Sequence, residues 1–199
     1  MFKLFNKGRN ENQDVLFKDS NLTFEDLLAT PTSSTDAGRA PGTEIEYHPD
    51  LVSILNRQHQ DIKNILADVV IAANKSKYKA VKKHLKFLSK TLRDHVIKES
   101  ILLYVYLKNM SQGEKELQKY VTDSHKEKKI LSHVVFSNIN EWLDTEEFVM
   151  GHNFLEKFYK MVSAITIQFD YDSEVVYPLY QQASKIKFKQ TNKLATAVN

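Results

Sequence analysis

The residue types best suited to chemistry in this sequence are a histidine and a glutamate four positions apart, His95 and Glu99. On a helix both lie on one face with Leu88, Leu92 and Tyr106, and an apolar face of this kind is buried. A buried carboxylate must be protonated, paired with a cation or bound to a metal. The pair alone leaves two interpretations open, a metal site or a hydrogen bond between the two side chains in a helical core.

Further metal donors would have to reach the same height from other helices. His59 lies about 14 residues before the end of the first predicted helix and His95 about 17 after the start of the second, so a rise of about 1.5 Å per residue makes them nearly level. The same counting brings His125, on the third helix, within about one turn of them, at the edge of the buried face. The other histidines are expected at the surface: His48, His84, His133 and His152.

The fourth predicted helix contains two pairs of polar residues, each with a spacing of four, in different phases. Gln168 and Asp172 are in phase with its apolar positions, whereas Asp170 and Glu174 lie off that face. Asp172 can bind a hard or borderline metal ion, while glutamine is an uncommon ligand of transition metals. The candidate metal ligands are therefore His59, His95, Glu99, His125 and Asp172.

Four long helical patterns would position these side chains. Apolar residues with helical spacing predict helices over residues 49–73, 78–109 and 114–143, and a fourth that begins near Asp144 or after Gly151. Pro178 is expected to kink or nearly end the fourth helix. Because the connections are short, consecutive helices should be antiparallel neighbours, and the predicted fold is an all-α, up-down-up-down four-helix bundle.

The domain organisation follows from composition. Residues 1–45 form a mostly irregular arm with a linker-like stretch, residues 46–184 the bundle, and residues 185–199 a basic tail. A short apolar cluster at residues 22–28 could dock on this protein or on a partner protein, and docking on the protein itself is the simpler interpretation. The arm is thus the expected site of any protein partner.

Composition excludes several functional classes. The chain has no cysteine, which rules out disulfides, iron–sulfur clusters and thiol catalysis, so that any metal would be bound by histidine and carboxylate. A net charge of +3 is too small to indicate nucleic-acid binding. The sequence contains neither an apolar run of membrane-spanning length nor a signal peptide, and a cytoplasmic protein without membrane contact is expected.

Residues 41–182 resemble the hemerythrin family, also called the HHE cation-binding domain. The stretch from Asp94 to Glu99 matches the His-x-x-x-Glu pair of that family, and His59 matches the lone histidine of its first helix. Residues 40–49 and 103–107 are also similar to a bacterial subgroup. The second pair of the family is followed by a proline ten residues after its histidine, so Pro178 aligns Gln168 with that histidine and Asp172 with the glutamate.

The resemblance implies a four-helix bundle that holds a non-haem di-iron centre, or a single iron ion where ligands are missing. Both aligned residues of the fourth helix depart from the family pattern, since glutamine replaces histidine and the shorter aspartate replaces glutamate. We therefore expect a hemerythrin-like protein that binds iron and binds, senses or buffers O2, NO or iron. No enzymatic activity is expected, because the sequence shows no nucleophile–base pair and no nucleotide motif.

Two alternatives stay open. The first is a regulatory or interaction bundle that binds little or no metal and contacts its partner through the arm and the basic tail. The second is a phosphotransfer bundle that uses an exposed histidine such as His84 or His133, although neither lies in a recognisable motif.

Overall fold

Helices make up all the regular secondary structure that the computed structural model describes, which covers residues 39–40, 43–144 and 152–183. Within those ranges there is no strand. The helices are α1 (Leu51–Asn74), α2 (Tyr78–Lys98), α3 (Val105–Met110), α4 (Lys115–Asp144) and α5 (His152–Tyr171). A π-helical segment, Glu99–Tyr104, joins α2 to α3 without a break, and a second one, Asp172–Val176, continues α5 into helical residues 177–183.

These elements form four long helices, as the sequence predicts. The first is α1, the second is α2 with α3, the third is α4, and the fourth is α5 with its continuation. Helix α1 packs against α2 and α5, and α4 packs against the same two helices. The arm at residues 1–38, the tail at 185–199 and the exact start of the fourth helix lie outside the described residues.

The core consists of two apolar clusters separated by a polar layer. The first cluster includes Ile62, Leu88, Ile139, Phe158 and Ile165. The second cluster includes Leu55, Leu103, Val121, Val176 and Tyr180. On each long helix, buried polar side chains lie between the residues of the two clusters. Together they form the polar layer: His59, His95, Glu99, Ser124, Lys128, Gln168 and Asp172. Apolar packing on both sides keeps bulk water away from this layer.

The two π-helical segments each begin at a carboxylate of the polar layer. Glu99 is the first residue of one segment, and Asp172 is the first residue of the other. A π-helical turn shifts the phase of the following side chains, so the second helix buries Leu103 and Tyr104 while Leu102, which the α-helical spacing places on the buried face, is only partly covered. Single π turns inside helices are frequent at functional sites.

Pro178, which the sequence expects to kink or nearly end the fourth helix, does not interrupt it, and residues 179–183 remain helical beyond it. The π-helical segment ends at Val176, two residues before the proline, and changes in hydrogen-bond pairing of this kind let a helix accommodate a residue without an N–H donor. As a result Tyr177 and Tyr180 reach the core.

None of the described helices contains a stretch that is both long and apolar enough to cross a lipid bilayer.

Candidate metal centre

Three of the predicted ligands meet in the polar layer. His59 of α1, His95 of α2 and Glu99 at the start of the first π-helical segment each offer a donor atom, and these atoms lie within 4.8 Å of one another. All three side chains are buried, and Glu99 is only 1% exposed. The rings of His59 and His95 are neighbours, with centroids 4.7 Å apart, and their use as metal ligands stays a prediction.

Packing on either side of each residue fixes the position of these donors. On α1, His59 follows Leu55 of the second cluster by four residues and precedes Ile62 of the first cluster by three, so all three share one face. The His59 ring stacks on Phe169 with centroids 3.7 Å apart and planes at 15°. The stacking partner comes from α5, and it therefore restricts the imidazole to one orientation in the layer.

The His95 ring is oriented by Gln58. His95 Nδ1 lies 3.4 Å from Gln58 Oε1, an acceptor, so a hydrogen on Nδ1 would be shared with Gln58. On the other side of the ring, His95 Nε2 faces Glu99 Oε2 at 3.2 Å, and the same carboxylate oxygen is also in contact with Lys128 Nζ. Two acceptors this close repel one another unless a proton or a metal ion lies between them. A second-sphere hydrogen bond to the other ring nitrogen is a regular feature of metal-bound histidine.

Tyr177 links the other side of Glu99 to His59. Its hydroxyl donates to Glu99 Oε1 at 2.8 Å and lies 3.0 Å from His59 Nε2. Because the hydroxyl hydrogen goes to the carboxylate, His59 Nε2 donates to the hydroxyl oxygen in this arrangement. Burial raises the pKa of Tyr177 far above its usual value, with Glu99 adding to the effect, so the phenol stays protonated.

Lys128 is the main residue of the site that the sequence interpretation did not select. Its Nζ contacts Glu99 Oε2 and lies 2.7 Å from Asp172 Oδ2, although the residue is only 5% exposed. A signal was present, because Lys128 lies seven residues after Val121 and seven before Val135, two positions predicted to be buried. The ammonium group therefore bridges carboxylates from the second and fourth helices.

Asp172 lies in the site as the phase of the fourth helix predicts. It is fully buried, whereas Asp170 and Glu174 are exposed. Gln168 Nε2 donates to Asp172 Oδ1 at 2.9 Å, and Asp172 Oδ2 is 4.0 Å from His59 Nε2. The position of Asp172 is thus confirmed, while its role as a metal ligand stays a prediction.

His125 does not join the other candidate ligands. Its Nε2 lies 3.4 Å from Ser100 Oγ, and its ring stacks on Tyr104 with centroids 4.4 Å apart. The Tyr104 hydroxyl in turn hydrogen-bonds Ser124, which precedes His125 on α4 and belongs to the polar layer. Burial and nearby lysines, Lys129 first among them, lower the pKa of His125 to about 4.

Burial and the charges of neighbouring side chains, above all that of Lys128, set the pKa values in the polar layer. Burial, followed by His95, lowers the pKa of His59 to about 3, so its ring is neutral. Burial alone would raise the pKa of Glu99, but Lys128 and His95 outweigh it and hold that pKa well below its usual range. For Asp172 burial wins over the attraction of Lys128 and raises the pKa to about 6. Both carboxylates are mainly ionised at neutral pH and share one ammonium group.

Comparison of the chain with protein-family models, with curated proteins and with solved structures gave no match. The resemblance to the hemerythrin family consequently stays a prediction from sequence, and the function has to be argued from the site itself.

The donor set fits one metal ion. Two imidazoles and a carboxylate form the combination typical of sites for non-haem iron with open positions. Ligand atoms about 2 Å from a common ion lie no more than about 4 Å apart, so the three donors need to close by less than about 1 Å. A second ion is not accommodated, because the Lys128 ammonium group, which has no lone pair, lies against both Glu99 and Asp172.

The three carboxylates of the fourth helix, Asp170, Asp172 and Glu174, allow a direct test of its phase. Asp172→Ala should lower the free energy of unfolding of the metal-free protein by about 2 kcal/mol or more, because it removes charge-assisted hydrogen bonds from Lys128 and Gln168 in the core. Asp170→Ala and Glu174→Ala, at exposed positions, should each change it by less than about 0.5 kcal/mol. Urea unfolding monitored by circular dichroism measures all three. A larger loss for Glu174→Ala than for Asp172→Ala would contradict this phase.

Proposed function

We propose that this protein is a hemerythrin-like, metal-binding helical bundle that holds a single iron ion through His59, His95 and Glu99, and that it binds, senses or buffers O2, NO or iron. The observation that carries the proposal is the convergence of donor atoms from His59, His95 and Glu99 in the core, within 4.8 Å of one another, with His95 Nε2 3.2 Å from Glu99 Oε2. A metal ion would bind both atoms together with His59.

The net charge of the layer also favours a cation. Glu99 and Asp172 supply two negative charges, Lys128 supplies one positive charge, and His59 is neutral, so the charge balance of the layer depends on whether a proton or a metal ion lies between His95 and Glu99. A buried excess of negative charge is costly unless a proton or a metal ion compensates it. A bound ferrous ion would supply positive charge and open coordination positions for a small ligand.

The remaining residues of the site would hold the donors and exclude water. A hydrogen shared between His95 Nδ1 and Gln58 Oε1 would leave Nε2 free for a metal, and Phe169 restrains the His59 ring. Metal binding at His59 Nε2 would move its hydrogen to Nδ1, and the Tyr177 hydroxyl would remain on Glu99 Oε1. The two apolar clusters keep the dielectric low around these groups.

A small cavity beside the layer gives room for a diatomic molecule. It has a volume of about 30 Å³ and is lined by His95, Lys128 and Gln168 together with mostly apolar side chains such as Val135 and Phe136. On this measure a cavity of roughly 10–15 Å³ already holds one water molecule, so there is room for a ligand of a few atoms. The size and apolar lining suit O2 or NO better than a larger substrate.

The proposal includes the up-down-up-down arrangement. Along α1 the second cluster comes before the polar layer and the first cluster after it, and this order reverses in each following helix. Alternation of this kind supports antiparallel neighbours. A partner protein that contacts the arm at residues 1–45 is also part of the proposal, and those residues lie almost wholly outside the described ranges.

Metal analysis tests the proposal. Protein purified without chelator should contain about one iron per chain, as expected for one set of two histidines and a carboxylate. Its optical spectrum should change when O2 or NO is added to the anaerobic ferrous form. His59→Ala should lose both the iron and the spectral change, whereas His133→Ala, at an exposed position, should keep them. Iron-free protein whose melting temperature is the same with and without chelator would refute the proposal.

One observation favours the metal-free regulatory bundle as a second candidate. Lys128 already pairs with both buried carboxylates, and a proton on His95 Nε2 would satisfy the remaining contact with Glu99. In that case the layer is a structural ion-pair network. The same metal analysis separates the two candidates, because only the first predicts bound iron.

A further inference from the structure

The Lys128 ammonium group occupies a place that a metal ion could take. It is buried between carboxylates of two different helices, in contact with Glu99 Oε2 and 2.7 Å from Asp172 Oδ2. His59 Nε2 is 4.0 Å from the same Asp172 oxygen. Carboxylate oxygens around one point are suitable ligands for a divalent ion such as Mn2+. The lysine supplies the positive charge there instead.

We propose that Lys128 sets the metal stoichiometry of this protein, because its ammonium group takes the position of a second cation between Glu99 and Asp172. Removal of the ammonium group opens that position to a divalent ion. The count of one ion in the natural protein rests on the proposed function, whereas the second position depends only on Glu99, Asp172 and their neighbours.

Charge and space both support this inference. Without Lys128 the two carboxylates would be buried with no cation between them among the described residues, and neutrality would require a proton or a metal ion. A divalent ion compensates both charges, whereas a proton compensates only one. Truncation of the lysine side chain also leaves a space next to the existing cavity, which Lys128 lines.

The test compares Mn2+ binding by the full-length protein, Lys128→Ala and Lys129→Ala. Lys129 is adjacent but exposed, so it controls for the loss of one positive charge. Equilibrium dialysis with elemental analysis should show that Lys128→Ala binds one more equivalent of Mn2+ than the natural protein, and that Lys129→Ala binds the same number. The double variant Lys128→Ala/Asp172→Asn, which lacks the second carboxylate, should lose the additional equivalent.

Each outcome separates this inference from the proposed function. One equivalent in the natural protein and two in Lys128→Ala supports both. Equal Mn2+ binding in the two proteins overturns the role of Lys128 and leaves the proposed function to the iron analysis. No Mn2+ in the natural protein and one equivalent in Lys128→Ala supports the role of Lys128, and the iron analysis again decides the proposed function, because Mn2+ binds such donors more weakly than Fe2+.

A second variant covers the case in which Lys128→Ala does not fold. In Lys128→Asn the new side chain is shorter than lysine, and its amide can donate a hydrogen bond to a carboxylate. This variant therefore keeps part of the hydrogen bonding of the layer when no metal is bound. Its melting temperature should rise more steeply with Mn2+ concentration than that of the natural protein, because only the variant gains a second ion. An equal dependence on Mn2+ in the two proteins would overturn the inference.

Discussion

Lys128→Met should lower the free energy of unfolding of the metal-free protein by about 3–5 kcal/mol, since removal of one partner leaves buried charge without compensation. Methionine keeps most of the volume of lysine but neutralises no carboxylate. Glu99 would then keep only Tyr177 and His95 as polar neighbours and Asp172 would keep Gln168, with no ammonium group between the two carboxylates. This decrease in the free energy of unfolding should be larger than that caused by any other single substitution in the polar layer.

Urea unfolding in the presence of chelator measures this loss, with Lys129→Met as the matched control. Lys129 is the next residue of α4 and is exposed, so its replacement should change the free energy of unfolding by less than about 0.5 kcal/mol. Lys128→Met/Asp172→Asn should recover part of the stability, because it removes a positive and a negative charge together. Equal unfolding midpoints for Lys128→Met and Lys129→Met would show that the ion-pair network contributes nothing.

The fold class could be predicted because helical periodicity is strong along most of the chain. The predicted bounds of the first three helices differ from α1, from the combined second helix and from α4 by no more than two residues. Few glycines and prolines interrupt these patterns. The π-helical segments could not be predicted, because a spacing rule assumes a constant 3.6 residues per turn and a single wide turn changes the phase after it.

The phase of each helix predicted the site better than residue type did. On the fourth helix the phase selected Asp172 rather than Asp170 and Glu174, the acidic pair with the same spacing of four as His95 and Glu99. Asp172 is the buried residue of the three. On α4 the sequence interpretation preferred His125 because histidine is a metal ligand, although Lys128 lies closer to the centre of the buried face. A buried lysine is rare, and only carboxylates contributed by other helices make it stable there.

His95→Ala should lower the iron affinity at least about 100-fold, more than the loss expected for an outer-sphere partner. The substitution removes one of three donors and also the ring that Gln58 holds toward Glu99. His125→Ala is the sharpest comparison, because both residues are candidate ligands by sequence but only His95 lies among the converging donors. His125→Ala should bind iron nearly as tightly as the natural protein.

Calorimetric titration with Fe2+ under anaerobic conditions and the metal-dependent rise in melting temperature measure these affinities independently. At a free iron concentration of about 100 times Kd, binding should stabilise the natural protein by about 2.7 kcal/mol, and His95→Ala should lose most of this stabilisation. His125→Ala should retain it, since its ring packs on Tyr104 near Ser100 rather than on Glu99. If His125→Ala lost iron as completely as His95→Ala, the ligand set would have to include the third helix, and α4 would have to rotate on metal binding to replace Lys128 with His125.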